Sequence, residues 1–136
     1  MKRVLVAASL TVVSLTAFAG KEDREMMKNE VMPAVKEAMA KVKASCGCAM
    51  TITVDETTVK NKDDMYPIKH MAGYVAEGAP AYCTDDASKK AICQMKTLVL
   101  GKAKEAAFTF KAGKGLATTD GSAACSWEMM TRELDK

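Results

Sequence analysis

Five cysteines constrain the fold of this chain more than any other feature of its sequence. They stand at positions 46, 48, 83, 93 and 125 of 136 residues. Cysteines in an oxidising compartment are normally paired, so an odd number predicts two disulfides and one cysteine left over. With five choices of the unpaired cysteine and three pairings of the remaining four, spacing alone leaves fifteen arrangements open.

The first nineteen residues predict export. Two basic residues precede an apolar run over residues 4–15, and alanines at positions 17 and 19 precede Gly20. This pattern is typical of a bacterial secretory signal that is cleaved after Ala19. A membrane anchor generally needs about 20 apolar residues, and this run is shorter. We therefore expect residues 1–19 to be removed and residues 20–136 to be periplasmic or secreted, with no membrane span.

Removal of the signal leaves 117 residues and lowers the formal charge from +3 to +1, because Lys2 and Arg3 are lost. A nearly neutral chain gives no electrostatic argument for binding nucleic acid or anionic membranes. Its length predicts a single globular domain. Its ten methionines predict a core that packs with little specificity, which favours a disulfide-stapled domain.

The most regular pattern is an amphipathic helix over residues 22–44. Its apolar side chains recur at helical spacing. Pro33 interrupts the pattern, and we expect one kinked helix rather than two, because proline removes an amide donor and crowds the preceding turn. Gly47 then ends the helix, and alternation over residues 50–54 predicts a strand.

Two further helices are predicted in the middle of the chain. The first is capped by Asp63 or Asp64 and is broken by residues 77–83. The second is short, covers residues 85–93 and has Asp85 as its cap.

The last third of the chain is typical of antiparallel strands with short connections. Strands are predicted over residues 95–100, 105–111 and 115–119. Residues 125–134 suit either a strand or a helical turn, and we assign a closing strand because the neighbouring segments are strands.

The predicted fold class is therefore α+β. An N-terminal amphipathic helix packs on an antiparallel sheet of about four or five strands, with one or two further short helices. The polar residues that alternate with apolar residues along the strands face outward, and the sheet edge offers a binding surface. These outward-facing residues are Thr51, Thr53, Thr109 and Lys111.

For the disulfides, we favour one short and one long link. Cys83 with Cys93 closes a short loop, and Cys46 or Cys48 with Cys125 ties the first helix to the last strand. A long-range tie of this kind stabilises by about 3–5 kcal/mol through loop-closure entropy.

The segment Cys46-Gly47-Cys48 permits three interpretations. A Cys46–Cys48 disulfide would close a small, reducible ring, as redox proteins use. Alternatively, Cys46, Cys48 and Met50 are soft ligands that select Cu(I). The third interpretation, which we favour, is a structural framework with one spare thiol.

A second possible metal group is Met65, His70 and Met71, which includes the only histidine of the chain. Its two methionines fall on or near the apolar face of the predicted second helix. Methionines in that position belong to the core more often than to a metal site.

The sequence offers little for catalysis. It has neither a G-x-S-x-G nor an H-E-x-x-H motif. Paired carboxylates occur at residues 55–56, 63–64 and 85–86, but each pair lies in a polar loop. We therefore predict no catalytic residue and no cofactor.

The leading hypothesis is a small, exported, non-enzymatic protein that binds another protein, such as an inhibitor, an adhesin accessory or an envelope component. The alternative is a periplasmic copper-binding or thiol-redox protein that uses Cys46 and Cys48. A small hydrolase is a third possibility, and it would need an acid pair with shifted pKa values. No motif identifies the partner or the oligomeric state.

Overall fold

The structure, a computed structural model, describes residues 20–136, and the predicted signal over residues 1–19 lies outside them. The helices are α1 (Lys21–Met26), α2 (Met32–Cys46), α3 (Lys62–Tyr82), α4 (Asp86–Cys93) and α5 (Trp127–Leu134). The strands are β1 (Thr51–Val54), β2 (Thr97–Lys102), β3 (Ala107–Lys111) and β4 (Lys114–Thr119). The predicted α+β class is confirmed at this level.

The first predicted helix forms one continuous helical segment. A π-helical turn, Met27–Val31, joins α1 to α2, and Pro33 lies at the start of α2. Because proline has no amide hydrogen, the regular hydrogen-bond ladder is interrupted there, as predicted. The predicted fold class placed this helix at the N-terminus. In the full chain the segment is not N-terminal, because residues 1–19 precede it.

Helix α3 runs beside this segment in the same direction. The two are in contact along much of their length. Strand β1 lies between them in sequence and carries the chain back from the end of α2 towards the start of α3. Three links tie them together from their first turns to their last: Asp23 with Lys62, Glu30 with Lys69, and Cys46 with Cys83.

Two predicted details of α3 are wrong. Its cap is Asn61, whose side chain accepts a hydrogen bond from the Asp64 amide (3.1 Å). The helix also continues through the expected break to Tyr82, although Pro80 lies inside it. The buried stripe of the helix extends to Ala79, so the packing on α2 stabilises the last turns despite the proline.

The sheet is mixed, with strand order β1-β2-β4-β3, so the prediction of an antiparallel sheet is wrong. Strands β1, β2 and β4 are parallel neighbours, and only β3 is antiparallel, to β4. The chain crosses from β1 to β2 through α3 and α4, a long connection that returns it to the same end of the sheet. Strand β4 then inserts between β2 and β3, which are consecutive in sequence but not paired.

Residues 125–134 do not form the predicted closing strand. They contain helix α5, which is capped by Ser126; its hydroxyl accepts a hydrogen bond from the Met129 amide (3.2 Å). Met130 and Leu134 are buried one turn apart on the same side of this helix. The spacing of buried residues is therefore helical, and it overrides the weaker alternation along the segment.

The helices cover one face of the sheet. Helix α2 contacts β1, α3 contacts β2 and β4, and α5 contacts β3. Methionines fill much of the core between these layers, as their number in the sequence indicated. The fully buried ones are Met65, Met71, Met95 and Met130.

Candidate functional site

The face of the sheet turned away from the helices is largely open to solvent, and we call it the open face. One residue from each strand meets in a row across it: Thr53, Val99, Leu116 and Thr109. Thr53 and Thr109 are exposed, as the alternation of their strands predicted, and Val99 is half-buried. The row presents hydroxyl and aliphatic groups on a flat surface.

Leu116 is the apolar centre of the open face. Its side chain lies 37% exposed, which is high for a leucine within a strand. Two shallow depressions flank it and share Thr109. A partner surface placed here would bury Leu116 and both depressions together.

Three lysines lie at the β3–β4 turn, at one end of the sheet, and we call them the basic turn: Lys96, Lys111 and Lys114. Lys111 and Lys114 are exposed and directly opposite in the β3–β4 hairpin, whose turn residues Ala112 and Gly113 have φ of 52° and 80°. Lys96 adjoins the turn, because its amide donates to the Gly113 carbonyl (2.8 Å). None of the three lysines forms an ion pair within residues 20–136.

The charges of the basic turn lower the stability of the hairpin. Like charges that face each other directly across a strand pair are destabilising. The Lys111–Lys114 pair lies next to Leu116, two residues along β4. The open face therefore combines an exposed apolar centre with a concentrated positive charge at one end.

The opposite end of the sheet holds a partly buried ion pair, in which Asp64 is buried and Lys102 is half-buried. The Lys102 ammonium donates to Asp64 Oδ1 (2.8 Å), and the Lys60 amide donates to Asp64 Oδ2 (3.0 Å). Burial raises the pKa of the Asp64 carboxyl, but these hydrogen bonds outweigh burial and hold that pKa below its ordinary value. Both carboxylate oxygens have partners, which is typical of a structural group.

The other predicted acid pairs also have local structural contacts. Asp55 accepts from the Thr57 amide (3.1 Å) in the turn after β1. Asp85 caps α4, as predicted, and the hydrogen bond from the Ser88 amide (2.7 Å) lowers the pKa of its carboxyl.

The disulfides join Cys46 to Cys83 and Cys48 to Cys93, with Cα–Cα distances of 5.3 and 5.9 Å. The favoured pairings, Cys83 with Cys93 and Cys46 or Cys48 with Cys125, are not formed. The reason is geometric: α3 and α4 each end beside the last turn of α2.

The Cys46-Gly47-Cys48 segment therefore links the ends of three helices. Gly47 adopts a left-handed φ of 79° and turns the chain between the two bonds. A Cys46–Cys48 ring is not formed. In this disulfide-bonded form neither cysteine offers a thiolate to a metal, and Met50 is buried.

The second predicted metal group is not brought together. Met65 and Met71 are fully buried in the core, whereas His70 is exposed on the other side of α3. Within the part of the chain that the structure describes, no three histidine, cysteine or acidic residues are placed to hold a metal ion.

Cys125 is the cysteine left over, and it is fully buried. Burial raises the pKa of its thiol to about 12. A thiol in this state is a poor nucleophile and a poor metal ligand.

Sequence reasoning identified the outward-facing threonines and Lys111 but missed Leu116, Val99 and the lysine pair. The signal for the pair was present, because a two-residue turn places its flanking residues directly opposite. The strands predicted over residues 105–111 and 115–119 placed Lys114 in the connection, whereas in the structure it begins β4 opposite Lys111. Leu116 was missed because the sequence does not say which side of β4 is covered.

These features define a small α+β protein with two disulfides and helices on one face of a four-stranded mixed sheet. No helix within residues 20–136 is long and apolar enough to cross a membrane. Comparison with protein-family models, curated proteins and solved structures finds no match to the chain. Its function must therefore be inferred from its own geometry.

Proposed function

We propose that this chain is an exported, non-enzymatic protein that binds another protein through its open face. The observation that carries the proposal is the Lys111–Lys114 pair beside Leu116. Two like charges held opposite each other cost stability, and no acidic side chain within residues 20–136 offsets them. A partner with acidic groups would offset them on binding.

The chemistry of the open face defines the partner further. Its central row offers two threonine hydroxyls and two aliphatic side chains. This composition resembles a protein interface, in which an apolar centre is surrounded by a polar rim. The partner surface that fits is flat, apolar at its centre and acidic where it meets the basic turn.

Protein is favoured over nucleic acid as the partner. The chain without its predicted signal carries a formal charge of only +1. Nucleic-acid sites spread positive charge along a face and interleave aromatic side chains with it. Here the basic turn lies at one end, the depression on the other side of Leu116 carries both Lys104 and Glu105, and the row across the face contains no aromatic residue.

Export is supported by the disulfides and by the predicted signal. Disulfides persist in oxidising compartments and are rare in the cytosol. Two of them link helix ends that are 37 and 45 residues apart in sequence. Such links maintain a small domain whose core is rich in methionine.

Photo-crosslinking in the cells that export the chain tests this proposal. A photoactivatable residue replaces Leu116 on the open face or, as the matched control, Lys36, which is exposed on α2. We expect a discrete adduct with one protein from position 116 and none from position 36. Three results would overturn the proposal: the same adducts from both positions, an adduct with a second copy of the chain, or no adduct from position 116.

A further inference from the structure

A cleft between α3 and α5 lies on the helical side of the protein, away from the open face. Its volume is about 230 Å³, and its lining is Tyr74, Glu77, Gly78, Ser126 and Trp127. Two aromatic rings form its walls. Glu77 is the only Asp, Glu, Lys, Arg or His residue in this lining.

The indole ring of Trp127 is held in place from two sides. One part of the ring lies against Gly78, where a side chain would overlap it. The Tyr82 ring meets it edge-on at a centroid distance of 5.8 Å and an angle of 84°. The Tyr82 hydroxyl in turn donates a hydrogen bond to Asp135. Trp127 nevertheless remains only half-buried, so part of the ring is available to a ligand.

The other groups of the cleft are also accessible. Tyr74 lies 39% exposed, and Glu77 is exposed and forms no ion pair in the described chain. The Ser126 hydroxyl already accepts one hydrogen bond, from the Met129 amide, because it caps α5. The cleft therefore presents two aromatic rings and one uncompensated negative charge.

We propose that this cleft binds a quaternary ammonium ligand. A cation is attracted to the faces of tryptophan and tyrosine rings, and a pair of such rings is the usual receptor for choline-like groups. The Glu77 carboxylate adds a charge of the complementary sign. An anion is disfavoured by the same carboxylate.

A quaternary ammonium fits better than a guanidinium or a primary ammonium. Guanidinium and primary ammonium groups carry several N–H donors, and each donor needs an acceptor when it leaves water. The acceptors on the lining side chains are the Glu77 carboxylate, the Tyr74 hydroxyl and the Ser126 hydroxyl, which already accepts in a cap, whereas a guanidinium alone has five N–H donors. A trimethylammonium group has no N–H donor to satisfy.

Trp127 is the only tryptophan in the sequence, so its fluorescence reports directly on this cleft. Choline is titrated into the purified chain, with sodium chloride at the same ionic strength as the reference. The comparison ligand is the neutral alcohol in which carbon replaces the choline nitrogen. We expect a saturable change with choline at a dissociation constant of about 1–10 mM, and a weaker response to the neutral alcohol.

Glu77→Gln removes the charge but keeps the shape and lies on an exposed helix surface. We expect it to weaken choline binding by about five-fold, as the loss of one partly exposed charge contact does. Glu37→Gln is the matched control, because Glu37 is exposed on α2 and forms no ion pair in the described chain. We expect it to leave binding unchanged.

Tyr74→Leu provides a second variant, since it removes one aromatic wall and retains an apolar side chain. We expect this variant also to weaken choline binding. Any of four results would overturn the proposal. The first two are no saturable change with choline and equal responses to choline and the neutral alcohol. The others are equal choline binding by Glu77→Gln and Glu37→Gln, and tighter binding of arginine amide than of choline.

Discussion

The indole ring of Trp127 lies directly against Gly78, so closely that a methyl group at this glycine would overlap it. This contact joins α5 to α3. It also explains why a glycine stands inside α3, where it lowers helix stability relative to alanine. Gly78 is therefore a packing residue.

Replacing this glycine should destabilise the protein. We expect Gly78→Ala to cost about 1–3 kcal/mol in the free energy of unfolding, because the ring must shift out of its packed position. Gly73 in the same helix is the matched control, since a Cβ there meets nothing within 4 Å. Gly73→Ala should stabilise by about 0.5–1 kcal/mol. Denaturant unfolding of both variants measures the difference, and equal effects would refute this role for Gly78.

The thiol count should be one, and that thiol should be hidden. Cys125 is fully buried, and the other four cysteines are paired. We expect no alkylation of the native protein isolated without reductant, and one modification after denaturation. Intact mass spectrometry gives the count. Two or more reactive thiols in the native protein would instead favour the copper-binding or redox alternative at Cys46 and Cys48.

The two disulfides should contribute differently to the free energy of unfolding. They close loops of similar length, 37 and 45 residues, so loop-closure entropy predicts about 4 kcal/mol for each. Cys46 and Cys83 are buried, however, whereas Cys48 and Cys93 are half-buried. Replacing the first pair by alanine should therefore cost about 1 kcal/mol more, because it also leaves a cavity.

Chemical denaturation of the two double variants measures this order. Each variant retains the other disulfide, so each serves as the control for the other. A larger loss of stability for the Cys48–Cys93 variant would contradict the larger contribution expected from the buried Cys46–Cys83 bond.

The Asp64–Lys102 ion pair should make stability depend on pH. A carboxyl whose pKa is lower in the folded than in the unfolded state stabilises the fold above its unfolded pKa of about 4. That contribution is lost as the pH falls through the lower, folded pKa. We expect Asp64→Asn to cost about 1–2 kcal/mol at neutral pH and progressively less in acid.

The neighbouring residue provides the control for this effect. Asp63 lies in the same first turn of α3 but is exposed. Asp63→Asn should change stability little at any pH. Unfolding curves for both variants at neutral and acidic pH measure the comparison, and a loss at Asp64 that does not shrink in acid would contradict the ion pair as its cause.

Local signals in the sequence predicted some local features correctly, but not the cap or the end of α3. The interruption at Pro33, the end of α2 at Gly47 and the cap at Asp85 each depend on a few neighbouring residues. The α5 segment was misassigned for a specific reason. Its own spacing of buried residues is helical, but its assignment followed from the neighbouring strands.

The strand order and the disulfide pairing could not be predicted in this way. Both depend on the long crossover through α3 and α4, which sets strand direction and carries Cys83 and Cys93 to the end of α2. Alternation likewise shows that β4 has two sides without showing which side the helices cover. The exposure of Leu116 therefore required the structure.

The most direct measurement of binding through the open face is a charge reversal in the basic turn. Lys111→Glu/Lys114→Glu is compared with Lys36→Glu/Lys41→Glu, two exposed lysines of α2 that form no ion pair in the described chain and give the same change in net charge. The readout is the dissociation constant for the protein crosslinked at position 116. Binding through an acidic partner surface predicts at least about a ten-fold loss for the first variant only, reduced at high salt. Equal affinity of the two variants would contradict it.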